Sequence, residues 1–249
     1  MSDFEKYIGI IPARYASSRF PGKPIANLLG KPLIWHVYNS ASQWESWSSL
    51  LVATDDERIC DVCDKYSIPY VMTSPDHPDC IDRACEVAKT LNESGSRFDR
   101  YIIMQGDEPG FNPEMLNVNL SPEVVNFYTK VISLEEREDP NVVKVVVSKS
   151  LRAIYFSRFG VPYHDSKTKR TDEMTSIDKQ IGVYSFSYDA LLKYSDIKPS
   201  YLENIEGIGL LRLIENDIDV YMRYSVYDSV SVDTPGDLVR AEEAMSNEI

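Results

Sequence analysis

The chain has 249 residues, of which 43% are hydrophobic, 26 are Lys or Arg and 39 are Asp or Glu, giving a net charge of −13. This composition is typical of a globular protein with a sizeable core, and the charge argues against nonspecific binding to nucleic acid or to an anionic membrane. No run approaches the roughly 18 to 20 consecutive apolar residues of a membrane span, and the first residues lack the pattern of a signal peptide, so we expect a cytoplasmic protein.

The first half of the chain alternates strand and helix patterns. Apolar runs typical of strands occupy Tyr7–Ala13, Leu50–Thr54, Pro69–Thr73 and Tyr101–Gln105. Helical periodicity occupies Pro32–Trp44, Glu57–Tyr66 and Ile81–Leu91. This alternation predicts an α/β fold with a mostly parallel sheet and helices on both faces. Ligands of such sheets bind at the carboxyl ends of the strands.

The second half contains more strands and fewer helices. Strand patterns occupy Val142–Ser148, Ala153–Phe156, Ile181–Phe186, Val220–Val226 and Val230–Val232, and helical patterns occupy Leu202–Leu213 and Thr234–Met245. We interpret Glu135–Asp139 as a solvated, charged turn. The pattern predicts an antiparallel extension of the sheet, with residues around 142–190 forming a subdomain that closes over the substrate. No linker divides residues 1–249, so we expect a single domain.

A window without acidic residues contains the first strand and the loop that follows it. No Asp or Glu occurs between Tyr7 and Trp44, and the window carries the cations Arg14, Arg19, Lys23 and Lys31. A small-residue loop with cations suits a polyphosphate, because backbone N–H groups approach closely and Arg binds oxygens in pairs. The loop lacks the Walker and dinucleotide-binding patterns. The alternative is a solvated loop, since Arg and Lys are mostly exposed.

Two carboxylates stand at strand ends. Asp107 follows one apolar run in MQGDEP, and Asp233 follows another in SVSVDTP. Magnesium takes one or two protein carboxylates and completes its octahedron with phosphate and water, so the pair indicates a Mg²⁺ site. The alternative for Asp233 is turn and cap chemistry before a helix.

The four cysteines include a C-x-x-C pair. Cys60 and Cys63 form this pair, and Cys80 and Cys85 follow later in the chain. The pair lies in a helical pattern without a second C-x-x-C, so a zinc site lacks a closed ligand set. We interpret the cysteines as reduced, partly buried thiols.

The motifs together resemble the CMP-Kdo synthetase family, the 3-deoxy-manno-octulosonate cytidylyltransferases. From Ile8 to about Ala244 they occur in the family's order: IPARYASSRFPGKP, GKPLIWHV, VATDDERI, QGDEP, YFSR, IGVYSF and VDTPGDL. The resemblance implies a nucleotide-diphospho-sugar transferase-like fold, with residues 1–249 as one nucleotidyltransferase domain. It also implies Mg²⁺-dependent transfer of CMP from CTP to the acidic sugar Kdo with release of pyrophosphate. It implies a homodimer, with the 142–190 subdomain contributing to dimerisation.

The resemblance assigns roles to individual residues. It implies that Arg14, Arg19 and Lys23 bind the triphosphate and that Asp107 and Asp233 bind magnesium; Arg14, Lys23, Asp107 and Asp233 would be catalytic. It places Gln105 and Arg83 at the nucleotide. It assigns the acidic sugar to four residues: Arg158, Gln180, Tyr184 and Glu206.

The chain departs from the family pattern where the acceptor is bound. Asp79-Cys80-Ile81 stands where the family has Ser-Gly-Thr, Gln180 replaces a His, and Gly209-Leu210 replaces a Glu-Gln pair. These departures leave two alternatives open. One is a cytidylyltransferase for a different acidic acceptor, such as an aminated Kdo analogue, and the other is an inactive nucleotide-binding homologue.

Overall fold

A computed structural model of the chain describes residues 5–16, 19–163, 177–228 and 231–246. Its strands are β1 (Tyr7–Ala13), β2 (Asn27–Leu28), β3 (Lys31–Pro32), β4 (Trp47–Thr54), β5 (Tyr70–Met72), β6 (Arg100–Met104), β7 (Val124–Lys130), β8 (Lys144–Val147), β9 (Ala153–Ser157), β10 (Asp178–Phe186) and β11 (Tyr221–Tyr224). Its α-helices are α1 (Leu33–Ala41), α2 (Glu57–Lys65), α3 (Cys80–Glu93), α4 (Leu134–Glu138), α5 (Tyr188–Asp196), α6 (Tyr201–Glu206), α7 (Leu210–Ile214) and α8 (Pro235–Ser246). In this part of the chain, every helix is too short or too polar to cross a membrane.

The described strands form one large mixed sheet and a small separate hairpin. The large sheet has the order β11-β7-β10-β6-β1-β4-β5, and β2 pairs with β3. β5, β4, β1 and β6 are parallel, whereas β10 runs antiparallel to both β6 and β7. β8 pairs antiparallel with β10 and β9. The predicted fold class, a mostly parallel sheet with an antiparallel extension, is confirmed.

The sheet separates two apolar cores. Ile8 and Ile10 of β1 pack with residues of α3, α5 and α7, whereas Ile11 and Ala13 pack with α1 and α2. This division follows from strand geometry, because successive side chains point to opposite faces. Helices therefore cover both faces, and the carboxyl ends of β1 and β6 meet at one edge of the sheet.

Strand β7 was not predicted, although it lies inside the sheet between β10 and β11. Its sequence places the polar residue Asn126 in the middle of a short apolar run. Asn126 is fully buried, and its side-chain amide donates to the carbonyl oxygens of Ile181 (3.0 Å) and Val183 (2.8 Å). The register of β7 against β10 shifts at this point. The asparagine thus satisfies carbonyl groups that the interrupted ladder leaves free.

The predicted charged turn at Glu135–Asp139 is wrong. The structure has the short helix α4 there, and the Ser133 hydroxyl caps it by accepting from the Glu136 N–H (3.1 Å). Ser is a favoured N-cap residue because its side chain satisfies a backbone donor at the helix start.

Two further expectations differ from the structure. The single helix predicted over Leu202–Leu213 is two helices, because Gly207 ends α6 in the left-handed conformation (φ 65°), which glycine adopts at little cost. The strand predicted over Val230–Val232 is absent at positions 231 and 232, and Val230 lies outside the described residues. There the Val232 N–H donates instead to the Asp107 carbonyl oxygen (2.9 Å).

Candidate active site

A cleft of about 730 Å³ opens at the carboxyl ends of β1 and β6. Of the residues predicted for the site, those that line it are Arg14, Arg19, Lys23, Arg83, Gln105, Asp107, Arg158, Gln180, Tyr184 and Asp233. Glu206 does not line it, and neither does Lys31, whose ammonium lies over the rings of Trp35 (5.3 Å) and Tyr66 (5.0 Å). The fold therefore gathers nearly all of the predicted site into one cavity.

Gly22 shapes the described part of the cationic loop after β1. Gly22 has a positive φ of 72°, and its N–H donates to the Tyr15 carbonyl oxygen (2.9 Å). A Cβ at Gly22 would lie 3.1 Å from the Tyr15 ring, so glycine permits both the turn and the close contact. The guanidinium of Arg58 stacks on the Tyr15 ring, 3.3 Å from the ring centroid. The loop thereby presents Arg19 and Lys23 to the cleft.

Lys23 lies between the two predicted metal ligands. Its ammonium is 2.7 Å from Asp107 Oδ2 and 3.4 Å from Asp233 Oδ1. The Arg19 guanidinium also donates to Asp233 Oδ1 (2.9 Å). Two carboxylates and two cations thus share the mouth of the cleft. This arrangement can bind a phosphate group with the cations and a divalent cation with the carboxylates.

One oxygen of Asp107 is available to a divalent cation. Asp107 Oδ1 is buried and has no hydrogen-bond partner in the described part of the chain. A buried carboxylate oxygen without a partner is costly, and a hard cation is the ligand that would satisfy it. No group of three or more His, Cys, Asp or Glu side chains with metal-binding geometry occurs among the described residues. Magnesium needs only one or two carboxylates when a nucleotide supplies further oxygens.

Asp233 sits at the start of α8. Asp237 Oδ2 accepts from the backbone N–H groups of Asp233 (2.9 Å) and Thr234 (2.7 Å). These hydrogen bonds favour the ionised form and lower the pKa of Asp237, although burial opposes them. The capping role considered for Asp233 thus belongs to Asp237, and the Asp233 carboxylate points to the cations.

Arg83 forms part of the cleft wall. It is buried, and it donates to the Thr73 hydroxyl and to the Ser74 carbonyl oxygen (3.3 Å). Asp55 lies 3.5 Å from its guanidinium, and burial lowers the pKa of Arg83. Arg83 therefore holds the strand end of β5 and the turn after β4 in place beside the cleft.

Gln105 is fixed by contacts with β10. Its side-chain amide donates to the Tyr184 hydroxyl (2.6 Å), and burial raises the pKa of Tyr184, which stays protonated. Gly182 allows this approach, since a Cβ there would lie 2.9 Å from Gln105 Cδ and 2.2 Å from Glu108 Oε1. The Gly182 N–H also donates to Glu108 Oε1 (2.9 Å). The floor of the cleft is thus a closely packed polar layer.

Arg158 lies at the other end of the cleft. Its side chain donates to the carbonyl oxygens of Glu206 (2.6 Å) and Pro140 (2.8 Å). The Glu206 carboxylate accepts from the Arg158 N–H (2.8 Å) and from the Ser157 hydroxyl (2.9 Å). Glu206, predicted to bind substrate, therefore lies behind Arg158 and orients it. The Gln180 amide nitrogen is buried without a hydrogen-bond partner among the described residues and is available to a ligand.

The sequence did not reveal two buried charged networks at the cleft. Lys179 is buried and donates to Glu136 Oε1 and Asp228 Oδ2, both at 2.7 Å, which ties α4 to β10. Asp79, at the start of α3, accepts from the Tyr194 hydroxyl (2.5 Å). Lys179 lies two residues before the predicted strand Ile181–Phe186 and inside the observed strand β10, so the sequence pattern did not predict its burial, which requires partners.

The cysteines are thiols with different surroundings. Cys60 and Cys63 lie on α2, and burial raises the pKa of both, to about 12 for Cys63. Cys80 lines the cleft, and burial followed by the charges of Asp79 and Asp107 raises its pKa. Thiols in such surroundings stay protonated and are poor nucleophiles and metal ligands.

The chain matches known proteins along most of its length. The cytidylyltransferase family model covers residues 8–221. A 3-deoxy-manno-octulosonate cytidylyltransferase of Nitratidesulfovibrio vulgaris (strain DP4) is 39% identical over 236 residues, which cover 92% of each chain. Its counterpart of that name from Cytophaga hutchinsonii is 36% identical over 254 residues, covering 99% of this chain and 100% of the other.

Solved structures agree with these sequence matches. The structure of CMP:2-keto-3-deoxy-manno-octonic acid synthetase complexed with CTP has a TM-score of 0.84 and 34% identity, covering 98% of this chain and 100% of that one. The inositol-1-phosphate CTP transferase from T. maritima, at 14% identity and a TM-score of 0.62, shares the fold. From the extent and identity of these matches we conclude that the chain belongs to the cytidylyltransferase family.

Proposed function

We propose that this enzyme is a 3-deoxy-manno-octulosonate cytidylyltransferase that transfers CMP from CTP to Kdo with Mg²⁺ as its cofactor. The observation that carries the proposal is the mouth of the cleft, where Lys23 lies between Asp107 and Asp233 and one Asp107 oxygen has no hydrogen-bond partner among the residues that the structure describes. The CTP-bound synthetase that this chain resembles over 98% of its length supports the choice of nucleotide and acceptor.

The cationic loop would bind the triphosphate. Arg14, Arg19 and Lys23 all line the cleft, so they would hold the β- and γ-phosphates. A hydroxyl of the acceptor attacks the α-phosphorus, an O–P bond forms, and the bond between the α-phosphorus and its bridging oxygen breaks. Pyrophosphate leaves with the charge that develops on this oxygen, and the hydroxyl proton passes to solvent. Fixed cations lower the barrier by stabilising the departing charge.

Asp107 and Asp233 would hold the magnesium ion. When bound, Mg²⁺ supplies charge neutralisation at the phosphates and makes the attacking hydroxyl more acidic. The two carboxylates must release the Lys23 ammonium in part when the nucleotide arrives. Lys23 is then available to the phosphate oxygens that lie beside it.

The acceptor would lie between Arg158 and the carboxylates. Arg158 can pair with the acidic group of the sugar, because guanidinium and carboxylate form charge-assisted hydrogen bonds. Gln180 and Tyr184 would contribute polar contacts from β10, on the floor of the cleft. Both metal carboxylates are present, which argues against the alternative of an inactive homologue.

We propose a homodimer that uses the antiparallel extension around residues 142–190. Phe159 and Tyr163 are 80% and 85% exposed there, and exposed aromatic residues are enriched at protein interfaces. Light scattering on the purified protein tests this, with a monomer mass as the contradicting result. Because CTP is made and used in the cytoplasm, we propose that the enzyme works there.

Pyrophosphate release tests the proposed reaction. We expect release only when the protein, CTP, Mg²⁺ and Kdo are all present, with CMP-Kdo detected by mass spectrometry. ATP or UTP in place of CTP is the nucleotide control, and an Asp107→Asn variant is the control for the site. The absence of pyrophosphate with Kdo and with every other acidic sugar would refute the proposal.

A further inference from the structure

Asp79 presents a carboxylate to the cleft from the start of α3. Its Oδ1 atom accepts from the Asp82 N–H (2.7 Å) and caps the helix, and its Oδ2 atom accepts from the Tyr194 hydroxyl (2.5 Å). Asp79 lines the cleft together with its neighbour Cys80. Each carboxylate oxygen has two lone pairs, so Oδ2 can accept a second hydrogen bond from a ligand.

Gly209 leaves the space that this carboxylate occupies. A Cβ at Gly209 would lie 2.1 Å from Asp79 Oδ2 and 2.6 Å from the Tyr194 hydroxyl. The backbone of Gly209 has ordinary helical angles (φ −59°, ψ −32°), so its conformation does not require glycine. Glycine is required because any side chain at this position would collide with the Asp79 carboxylate. Two departures from the family pattern, Asp79 and Gly209, are far apart in sequence but meet at one point of the cleft wall.

The charge of Asp79 is not balanced by a direct ion pair. Its neighbour Asp82 is bound by the Arg212 guanidinium at 3.0 and 2.9 Å, and the same guanidinium binds Glu203. Within the described part of the chain, no Lys or Arg forms an ion pair with Asp79. Burial, followed by the charge of Asp82, raises the pKa of Asp79 to about 6. The protein holds this carboxylate at the cleft at a cost in stability, which is typical of functional sites.

Asp79 lies between the two ends of the proposed acceptor site. Towards the carboxylates, Cys80 feels the charges of both Asp79 and Asp107. Towards the other end, Gly207 to Gly209 line the cleft, and a Cβ at Gly207 would lie 3.8 Å from the Arg158 guanidinium. An acid held by Arg158 with its hydroxyl near Asp107 would thus pass beside Asp79.

We propose that Asp79, oriented by Tyr194, determines acceptor specificity by accepting a hydrogen bond from a hydroxyl or ammonium substituent of the acidic sugar. This inference rests on the proposed function and adds a residue that selects the acceptor. It assigns no new role in binding CTP. A site built to bind a donor rejects an analogue that lacks it, because its buried acceptor is then left without a partner.

Two variants separate this role from helix capping. Asn and Ser both cap helices well, so Asp79→Asn and Asp79→Ser keep α3 while they remove the carboxylate. We expect each to lower kcat/KM for the acceptor by about 10- to 100-fold, the value of a hydrogen bond to a charged group. The KM for CTP should stay within about twofold, since the hydrogen bonds of Asp79 among the described residues are with Asp82 and Tyr194 and not with the cationic loop.

Substrate analogues provide the second arm and need no variant. The unaltered protein is assayed with Kdo, with deoxy analogues that each lack one hydroxyl, and with analogues in which an amine replaces one hydroxyl. One deoxy analogue should lose about as much kcat/KM as the Asp79→Asn variant loses with Kdo, and the variant should lose nothing further with that analogue. A preference for the amine at that position identifies an ammonium as the preferred substituent, and a preference for Kdo identifies a hydroxyl.

The outcomes distinguish the inference from the function on which it rests. Unchanged acceptor kinetics in both Asp79 variants, or equal losses for CTP and acceptor, would overturn the inference and leave the cytidylyl transfer intact. Additive losses for variant and deoxy analogue at every position would also overturn it. Absence of turnover by the unaltered protein with every acidic sugar would refute the proposed function and the inference together.

Discussion

Substituting Gly209 with Ala tests the close packing at the acceptor end of the cleft. The added methyl would lie 2.1 Å from Asp79 Oδ2 and 2.6 Å from the Tyr194 hydroxyl, whereas ordinary contacts begin near 3.4 Å. The carboxylate must therefore move by more than 1 Å. This movement breaks the 2.5 Å hydrogen bond between Tyr194 and Asp79.

The expected loss of stability follows from three effects. A hydrogen bond to a charged group contributes about 1.5–3 kcal/mol, and overpacking a filled site costs about 1–3 kcal/mol. Replacing glycine by alanine at helical angles returns about 0.4–1 kcal/mol by restricting the unfolded chain. We expect Gly209→Ala to lower the free energy of unfolding by about 2–4 kcal/mol.

Urea denaturation measures this change, with the slope m checked for constancy. Gly110→Ala is the matched control, because a Cβ there meets nothing within 4 Å. The double variant Gly209→Ala with Asp79→Ser should regain part of the loss, since serine lacks the oxygen that clashes. A Gly209→Ala protein as stable as the unaltered one, or losses that add in the double variant, would refute the packing argument.

Three further predictions concern other groups. Asp107→Asn and Asp233→Asn should each lower turnover by at least about 100-fold with no loss of folded structure by circular dichroism, because both carboxylates would hold the metal; near-normal activity at saturating Mg²⁺ would contradict this. The pKa of Asp79 in the folded state is raised to about 6. Between the ordinary pKa of Asp and pH 6, the folded state therefore binds more protons than the unfolded state. The free energy of unfolding falls as the pH rises through this window. Asp79→Asn should therefore raise the free energy of unfolding, by about 1–3 kcal/mol above pH 6 and by little at pH 4, and a gain that does not change with pH would contradict the assignment. Replacing Cys60 and Cys63 together with Ser should leave activity and metal content unchanged, and stoichiometric zinc that is lost in the double variant would show that the pair binds metal.

Strand and helix patterns predicted the parallel half of the sheet well, because each of its elements is a pattern of consecutive residues. β1 has the predicted bounds, Tyr7–Ala13, since an apolar run buried on both faces is continuous in sequence. β7 was missed because a buried Asn interrupts its apolar run, and the reason for that Asn is a register shift against a strand 55 residues away in sequence. The burial of Asn126 is therefore explained only by the pairing of β7 with β10.

The sequence also predicted most of the cations that line the proposed phosphate end of the cleft. An acid-free window directly after a strand identified Arg14, Arg19 and Lys23, all of which line the cleft. Lys31 belongs to the same window, yet it packs on aromatic rings that a helix start and a distant helix bring together. The composition of the window thus predicted where cations are frequent, and side-chain packing determines which of them line the cleft.

The two ends of the cleft differ in how the sequence encodes them. The proposed nucleotide end is built from a loop and strand ends that each occupy a few consecutive residues, so its chemistry is visible as motifs. The proposed acceptor end is built from single residues at the start of α3, on α5 and in the turn before α7, and their role depends on the contacts between them. Asp79 taken alone is a helix cap, and Gly209 taken alone is a lost polar side chain. Only the close approach of these two residues shows that the Asp79 carboxylate requires a residue without a side chain at position 209. In the proposed binding mode, a change of acceptor in this chain therefore requires paired substitutions at Asp79 and Gly209, whereas the residues proposed to bind phosphate can stay unchanged.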